Sequence, residues 1–213
     1  MSATTPARSM TGRAYQDLRA SLLDGRLRPN QRLVEMDLVS TLGVNRAAVR
    51  EALARLEQEG LVERRPNRGV VVREISPEES RDVLDMRIAL ESMAVRWASA
   101  RRTPDQAERL GRLLAEMAEC CAARDVVAFA DRQAQIHHLI LDMAHAPPLA
   151  AVLRSLSAHV AQIRRRSLGS PHRLEDSLAE HRQIVSALLD ADADRAAVLM
   201  AEHLETVRSL IDA

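Results

Sequence analysis

Between residues 33 and 72 the spacing of apolar positions changes twice. Leu33, Val34, Leu38 and Leu42 recur at helical spacing, and Gly43 follows where a helix end favours a residue that tolerates positive φ. A first helix therefore stops there. Asn45 then offers a side-chain oxygen as N-cap to a second helix, with Val49, Leu53 and Leu56 on its inner face and Gly60 at its close. From Leu61 to Val72 the pattern becomes strand-like on both sides of Arg65, Pro66, Asn67, Arg68 and Gly69, a turn with basic residues at its tip. Helix, short glycine-containing turn, helix and basic hairpin is the order of a winged helix-turn-helix, whose second helix enters the major groove and presents its first residues to base edges. Arg46 and Arg50 stand one turn apart at that position, and Arg55 is also left for the outer face. Taken singly, an exposed arginine is usually a solvated charge and a Pro-Asn-Arg-Gly turn only reverses the chain. Order and spacing together carry the DNA-binding reading.

After Val72 the strand pattern does not return. Ser76, Pro77, Glu78 and Glu79 open a helix with proline at its first position and acids in its first turn. The periodicity from there predicts helices over about 77–101, 104–123, 125–145, 147–168, 173–190 and 192–211. The expected fold is mainly α: an N-terminal winged helix-turn-helix over 1–76, and an antiparallel bundle of six to seven helices over 77–213.

Composition changes this picture in two ways. Aromatic residues make up 1% of the chain, so the core must be built from Ala, Leu, Val and Met, which suits interdigitating helices. Cys120 and Cys121 are adjacent and provide no disulfide framework, consistent with a reducing cytoplasm. No stretch approaches the roughly 18 consecutive apolar residues of a membrane span, and MSATTPARSM lacks the apolar centre of a signal peptide. The formal net charge of zero conceals an asymmetry: residues 1–76 hold 13 Arg against 9 acids, and residues 77–213 hold 17 against 21. The basic half is the half with the DNA-reading pattern. Lysine is absent, so every basic side chain is a guanidinium, able to fork onto phosphate or guanine but not to form a Schiff base.

The segments LRASLLDGRLRPNQRL, LGVNRAAVREALARLEQEGLV and PNRGVVV resemble the winged-helix regulators of the GntR family, in the FadR-like branch with an all-helical C-terminal FCD domain. The resemblance covers nearly the whole chain after the first ten residues. It implies that Asn45, Arg46, Ala47 and Arg50 lie against DNA and that Arg68 and Gly69, in the wing, approach the minor groove. Three positions depart from the family pattern. Asn30 stands where glycine usually follows Pro29, and Asn45 and Ala47 replace the usual Ser or Thr. Asparagine tolerates the same left-handed backbone as glycine.

Three histidines of the helical half sit among apolar residues at helical spacing: His137 with Ile140 and Leu141, His181 with Ile184, Val185 and Leu188, and His203 with Leu199, Met200, Val207 and Leu210. One such histidine is more often a satisfied core residue than a ligand. Three on three helices suit a metal site in a bundle core. The resemblance implies a divalent ion, zinc or nickel, held by these three and an Asp, but the Asp position is occupied by Gln133. Asp131 falls on another helix face. An amide oxygen is a weak neutral ligand, which leaves open a looser metal site, a water in its place or a metal-free polar pocket. Arg87 also matches the family and suits an effector carboxylate, or else an intrahelical pair with Glu91. Arg164, Arg165 and Arg166 are expected on a solvated face, with the alternative that one of them reaches the pocket.

These features predict a ligand-responsive transcription regulator, a homodimer on a palindromic DNA operator, released by a small carboxylate effector bound in the helical half. The alternative is a metal-responsive regulator in which the ion itself is the signal. An enzyme is not expected, because no general base is evident beside the histidines. Glu180 and Glu202 each precede a candidate ligand and should face roughly 100° away from it.

Overall fold

The computed structural model describes residues 10–169 and 172–212. Residues 1–9, most of the segment on which the expectation about a signal peptide falls, lie outside the described residues, as do Ser170 and Pro171 of the expected turn at 169–172. The chain divides into two compact units between Glu74 and Ile75.

The first unit is built from α1 (Met10–Leu23), β1 (Arg32–Leu33), α2 (Glu35–Leu42), α3 (Arg46–Gln58), β2 (Val62–Arg65) and β3 (Gly69–Val72). α1 is not announced by the apolar pattern from Leu33 onward. It buries Ala14, Leu18 and Leu22, spaced by four, and packs on α3, whose Ala48, Val49, Ala52, Leu53 and Leu56 form the centre of the unit. Leu33 and Val34 do not begin the first helix as expected. Leu33 pairs with Val70 in the sheet and Val34 is extended, so α2 starts at Glu35. Two alternating residues and a helix N-terminus share apolar content here, and the pairing partner lies too far along the chain for local spacing to reveal it.

The sheet is antiparallel in the order β1-β3-β2, with Arg65 opposite Gly69 at the tip of the hairpin. The tip is a turn in which the Arg68 N–H donates to the Arg65 carbonyl and Asn67 has φ +60°, with Pro66 before it, the residue order of a type II turn. Asn30 also adopts the left-handed conformation, at φ +62°. Its N–H donates to the Val72 carbonyl at 2.9 Å, so the asparagine performs the backbone task that glycine would otherwise perform.

The second unit consists of α4 (Pro77–Arg101), α5 (Pro104–Ala122), α6 (Val126–Met143), α7 (Pro147–Ser155), α8 (Ser157–Ser167), α9 (Arg173–Leu189) and α10 (Ala193–Asp212). Caps explain the boundaries. Ser76 accepts from the Glu79 N–H, Thr103 and Gln106 form a capping box, and Asp125 accepts from the Ala128 N–H. The expected single helix over 147–168 is two helices. At Leu156 the backbone N–H bonds back three residues to Leu153 rather than four, and the neighbouring Ser155 hydroxyl donates to the Val152 carbonyl, competing with the helical ladder. α4 and α10 pack along each other, with α9 against α10 and α5 against α6. The core between them includes Leu84, Leu110, Met117, Phe129, Ile136, Ile163, Ile184 and Leu188, all fully buried. Among the described residues no helix is long and apolar enough to cross a membrane.

Candidate DNA-reading face and histidine centre

In the first unit, α3 begins at a cap. The Asn45 Oδ1 accepts from the Ala48 N–H at 2.8 Å, which occupies the side-chain oxygen, and the amide NH2 donates to the Met10 Sδ at 3.7 Å. Asn45, Arg46, Ala47 and Arg50 are all exposed, on the face opposite Val49, Leu53 and Leu56. They are not equivalent. The Arg46 Nε is paired with Glu35 at 2.9 Å, whereas Arg50 has no ion pair among the described residues. Arg55, also expected on the outside, lies over the ring of Tyr15 at 4.0 Å and so is engaged in holding α1 to α3. α3 ends in a Schellman arrangement: Leu61 N–H to Leu56 carbonyl, Gly60 N–H to Glu57 carbonyl, and Gly60 at φ +67°. That closure directs the chain into β2, and at the far end of the hairpin Arg68 and Gly69 are exposed.

In the second unit the structure brings His137, His181 and His203 together from α6, α9 and α10, with one ring nitrogen of each within 4.8 Å of the others. Their outward nitrogens are all occupied. His137 Nδ1 meets Glu91 Oε2 at 2.6 Å, His181 Nδ1 meets the Ser177 carbonyl at 2.7 Å, and His203 Nδ1 meets Glu180 Oε2 at 2.5 Å. A carbonyl and two carboxylates only accept, so each Nδ1 carries the proton and each Nε2 presents a lone pair. His137 Nε2 and His181 Nε2 then face each other at 3.1 Å. Two lone pairs at that distance repel unless a cation lies between them. Burial pushes all three imidazoles below their ordinary pKa, His203 to about 4 and His181 well below its usual value, so a proton is poorly suited to that role.

The donor set fits a divalent ion. Two imidazole nitrogens bound at about 2.0–2.1 Å to one ion stand roughly 3 to 3.4 Å apart, and histidines that ligate metal commonly donate their other N–H to carboxylate or carbonyl groups. Gln133 is buried, its Oε1 has no hydrogen-bond partner, and its Nε2 lies 3.4 Å from the Ser177 hydroxyl. Asp131 is exposed and engaged with Arg132 and Gln135, so it does not replace the missing carboxylate ligand.

Acids stand at the outer nitrogens of two of the histidines. Glu180 faces away from its neighbour His181, as its spacing requires, but reaches His203 on another helix, and Arg173 grips it with a two-pronged pair at 2.8 Å on each oxygen. Glu91 binds Arg87 at 2.6 Å with one oxygen and His137 with the other. Burial alone would raise both carboxyls, but the neighbouring Arg87 and His137, and His203 and Arg173, outweigh it and hold them below the ordinary range. Both acids contact the outer nitrogens of the rings, so neither is placed as a base toward the centre. Arg164, expected with Arg165 and Arg166 on a solvated face unless one of them reached the pocket, is half-buried and, with Arg87, Gln133, Ile163, Ser167, His203 and Val207, lines a small cavity open to solvent, whose enclosed space of about 10 Å³ is that of roughly one water molecule. Burial, and then the charge of Arg87, push the Arg164 guanidinium down to about 10.

Comparison with known proteins finds matches for both halves of the chain. Residues 10–72 match the model of the bacterial regulatory proteins of the gntR family, and residues 82–206 match the FCD domain. The chain is 30% identical to the HTH-type transcriptional repressor GlaR of Escherichia coli, over 90% of this chain and 91% of that protein. It is 27% identical to the HTH-type transcriptional repressor RspR of Escherichia coli, over 95% and 89%. Among solved structures, Escherichia coli McbR/YncC superposes with a TM-score of 0.86 over 96% of this chain and 97% of that one, at 22% identity. A GntR transcriptional regulator from Rhodococcus sp. RHA1 superposes with a TM-score of 0.81 over 95% and 97%, at 26% identity.

Proposed function

This chain belongs to the GntR family of bacterial regulatory proteins and carries an FCD domain, and from that membership we propose that it is a repressor released from a palindromic operator by a small carboxylate bound among its C-terminal helices. It is a DNA-binding transcriptional regulator and not an enzyme. The names of its relatives GlaR and RspR favour repression. The observation that carries the effector reading is the cavity beside the histidines, where Arg87 and Arg164 stand with the unpartnered Gln133 Oε1. Such groups suit an acid better than an apolar molecule.

On this reading Asn45, Arg46, Ala47 and Arg50 lie in the major groove, and Arg68 and Gly69 approach the minor groove. One module reads one half-site, and a homodimer about a twofold axis reads two. His137, His181 and His203, with Gln133 as a fourth and weaker donor, would hold a divalent ion, which when bound supplies positive charge to the cavity wall. Glu91, Ser177 and Glu180 fix the tautomers of the rings, and Arg87 and Arg173 hold the two carboxylates in place. A second reading, in which the ion is itself the signal, is favoured by the facing Nε2 atoms of His137 and His181.

The test is selection of bound DNA from a random pool by the full chain, followed by titration with small acids and, separately, with a chelator. Enrichment of an inverted repeat whose binding weakens with an acid supports the main reading. Weakening by the chelator alone, with no response to acids, supports the metal-sensing one. Absence of any enriched inverted repeat removes the palindromic operator.

A further inference from the structure

The longest helix, α4, carries an apolar strip that the second unit leaves uncovered. Its inner residues, among them Leu84, Val95 and Ala98, are fully buried in the helical core. Beside that inner face run Met86, Leu90, Met93 and Trp97, neighbours at helical spacing. Met86 and Met93 are 43% and 41% exposed. Leu90 and Trp97 are half-buried, packed on one side against a small cluster that includes Leu141, Leu149 and Ala150. Leu153 of α7 packs on the same cluster and its neighbour Val152 is exposed, so the open face continues onto α7. Exposed apolar residues scattered singly need no explanation, but a contiguous strip of large ones marks a surface that is covered by something.

The two ends of the strip carry opposite charges. Asp82 stands one turn before Met86, and Arg101 one turn after Trp97. Asp82 is exposed, with no ion pair among the described residues. Arg101 donates to the Ala144 carbonyl at 2.6 Å and lies over the Trp97 ring at 5.0 Å, and has no carboxylate partner among the described residues. A helix laid antiparallel on a copy of itself pairs its early positions with the copy's late ones. In this sequence that sets Asp82 against the partner's Arg101, Met86 against the partner's Trp97 and Leu90 against the partner's Met93, with the twofold axis between residues 91 and 92. Each contact then occurs twice, as twofold symmetry requires. Methionine sulfur against an aromatic ring is itself favourable. The parallel arrangement would instead place like charges together at both ends.

We propose that a second copy of this chain covers the strip: α4 of one protomer lies antiparallel on α4 of its partner, and the charges of Asp82 and Arg101 select that orientation. This rests on the homodimer of the proposed function and names the face through which it forms.

The experiment measures self-association of the full chain by sedimentation over a range of concentrations, together with the emission of Trp97, the only tryptophan of the chain. The native chain should form a dimer, and dilution should shift the emission to the red as the ring meets water. Met93→Glu places a charge near the axis and should weaken the dimer at least roughly tenfold. Asp82→Arg and Arg101→Glu each put like charges together twice and should weaken it by a similar factor. Mixed in equal amounts, these two variants restore both opposite pairs, so the mixture should form a dimer of mixed composition in preference to either homodimer. Arg101→Glu also loses the bond to Ala144, but lost stability cannot produce that gain in the mixture. A dimer that all three variants keep at native affinity, or a mixture with no excess of the mixed dimer, would overturn the α4 face and leave the homodimer standing. A native chain that remains monomeric while bound to its operator would overturn both.

Discussion

Arg50 and Arg46 share a helix face, but only Arg46 has an ion pair holding it, and this difference sets what each should contribute. An exposed ion pair is worth about 0–1 kcal/mol, so Arg46 must give up or share its contact with Glu35 to meet DNA, whereas Arg50 is uncommitted. Arg50→Ala should weaken specific binding by about 1 to 3 kcal/mol if its guanidinium meets a base. Unchanged affinity for the selected operator would take Arg50 out of the interface. At the histidine centre, Glu180 deserves the analogous test, because it meets His203 from outside the ring. Glu180→Gln should leave one ion per chain in the native chain's stoichiometry but lower its affinity by about 10- to 100-fold in competition with a chelator, while His181→Ala should lose the ion. Equal metal content in His181→Ala and the native chain would end the three-histidine proposal. The histidines were legible in the sequence because each lies at helical spacing from apolar residues. Glu180 and Arg164 were not, since periodicity reports which way a side chain faces on its own helix and not what another helix places there.

At the scale of elements, glycines with opposite backbone conformations give predictions of opposite sign. Gly60 has φ +67° at the end of α3, and a Cβ there would meet only Arg73 Nη1, at an ordinary 3.8 Å, so the penalty of Gly60→Ala is conformational. It should destabilise the first unit by about 1 to 2 kcal/mol. Gly111 lies inside α5, exposed and with open space around its Cβ position, and Gly111→Ala should stabilise the second unit by about 0.5 to 1 kcal/mol. Thermal or urea unfolding of the two variants checks both, and like signs would show that local backbone preference does not decide either case. Asn45→Asp separates two duties at the head of α3. Aspartate keeps an N-cap oxygen for the Ala48 N–H, so stability should hold, but its charge faces phosphate and DNA affinity should fall. Elements whose ends carry such local chemistry were legible: Ser76-Pro77, Thr103-Pro104 and Gly43 mark boundaries that the structure keeps. The break at Leu156 was not, because no proline or glycine marks it and the Ser155 hydroxyl that competes with the ladder is compatible with an unbroken helix. β1 escaped for a different reason: two residues are too few to show alternation, and their partner is almost forty residues away.

For the whole molecule, the uneven distribution of charge makes salt a probe of how many arginines take part. If the protein binds as the proposed dimer and Arg46, Arg50 and Arg68 of each protomer all neutralise phosphates, counterions are displaced at six places, and the logarithm of affinity should fall with the logarithm of salt concentration with a slope of about −5. Arg68→Ala should flatten that slope by about 2 in the dimer if the wing arginine meets phosphate. Arg50→Ala should reduce affinity with little change in slope if it meets a base instead. The same binding curves allow a stricter test of coupling. When an acid weakens operator binding by some factor, thermodynamic linkage requires that operator weaken acid binding by the same factor, typically 5- to 150-fold. Measuring the first by DNA titration at saturating acid and the second by acid titration at saturating DNA should give one number. Agreement would mean that two states of a single dimer account for regulation. A larger effect of acid on DNA than of DNA on acid would mean that the two titrations do not begin and end at the same species, as when the acid also separates the protomers. The discrepancy should then vanish as protein concentration is raised.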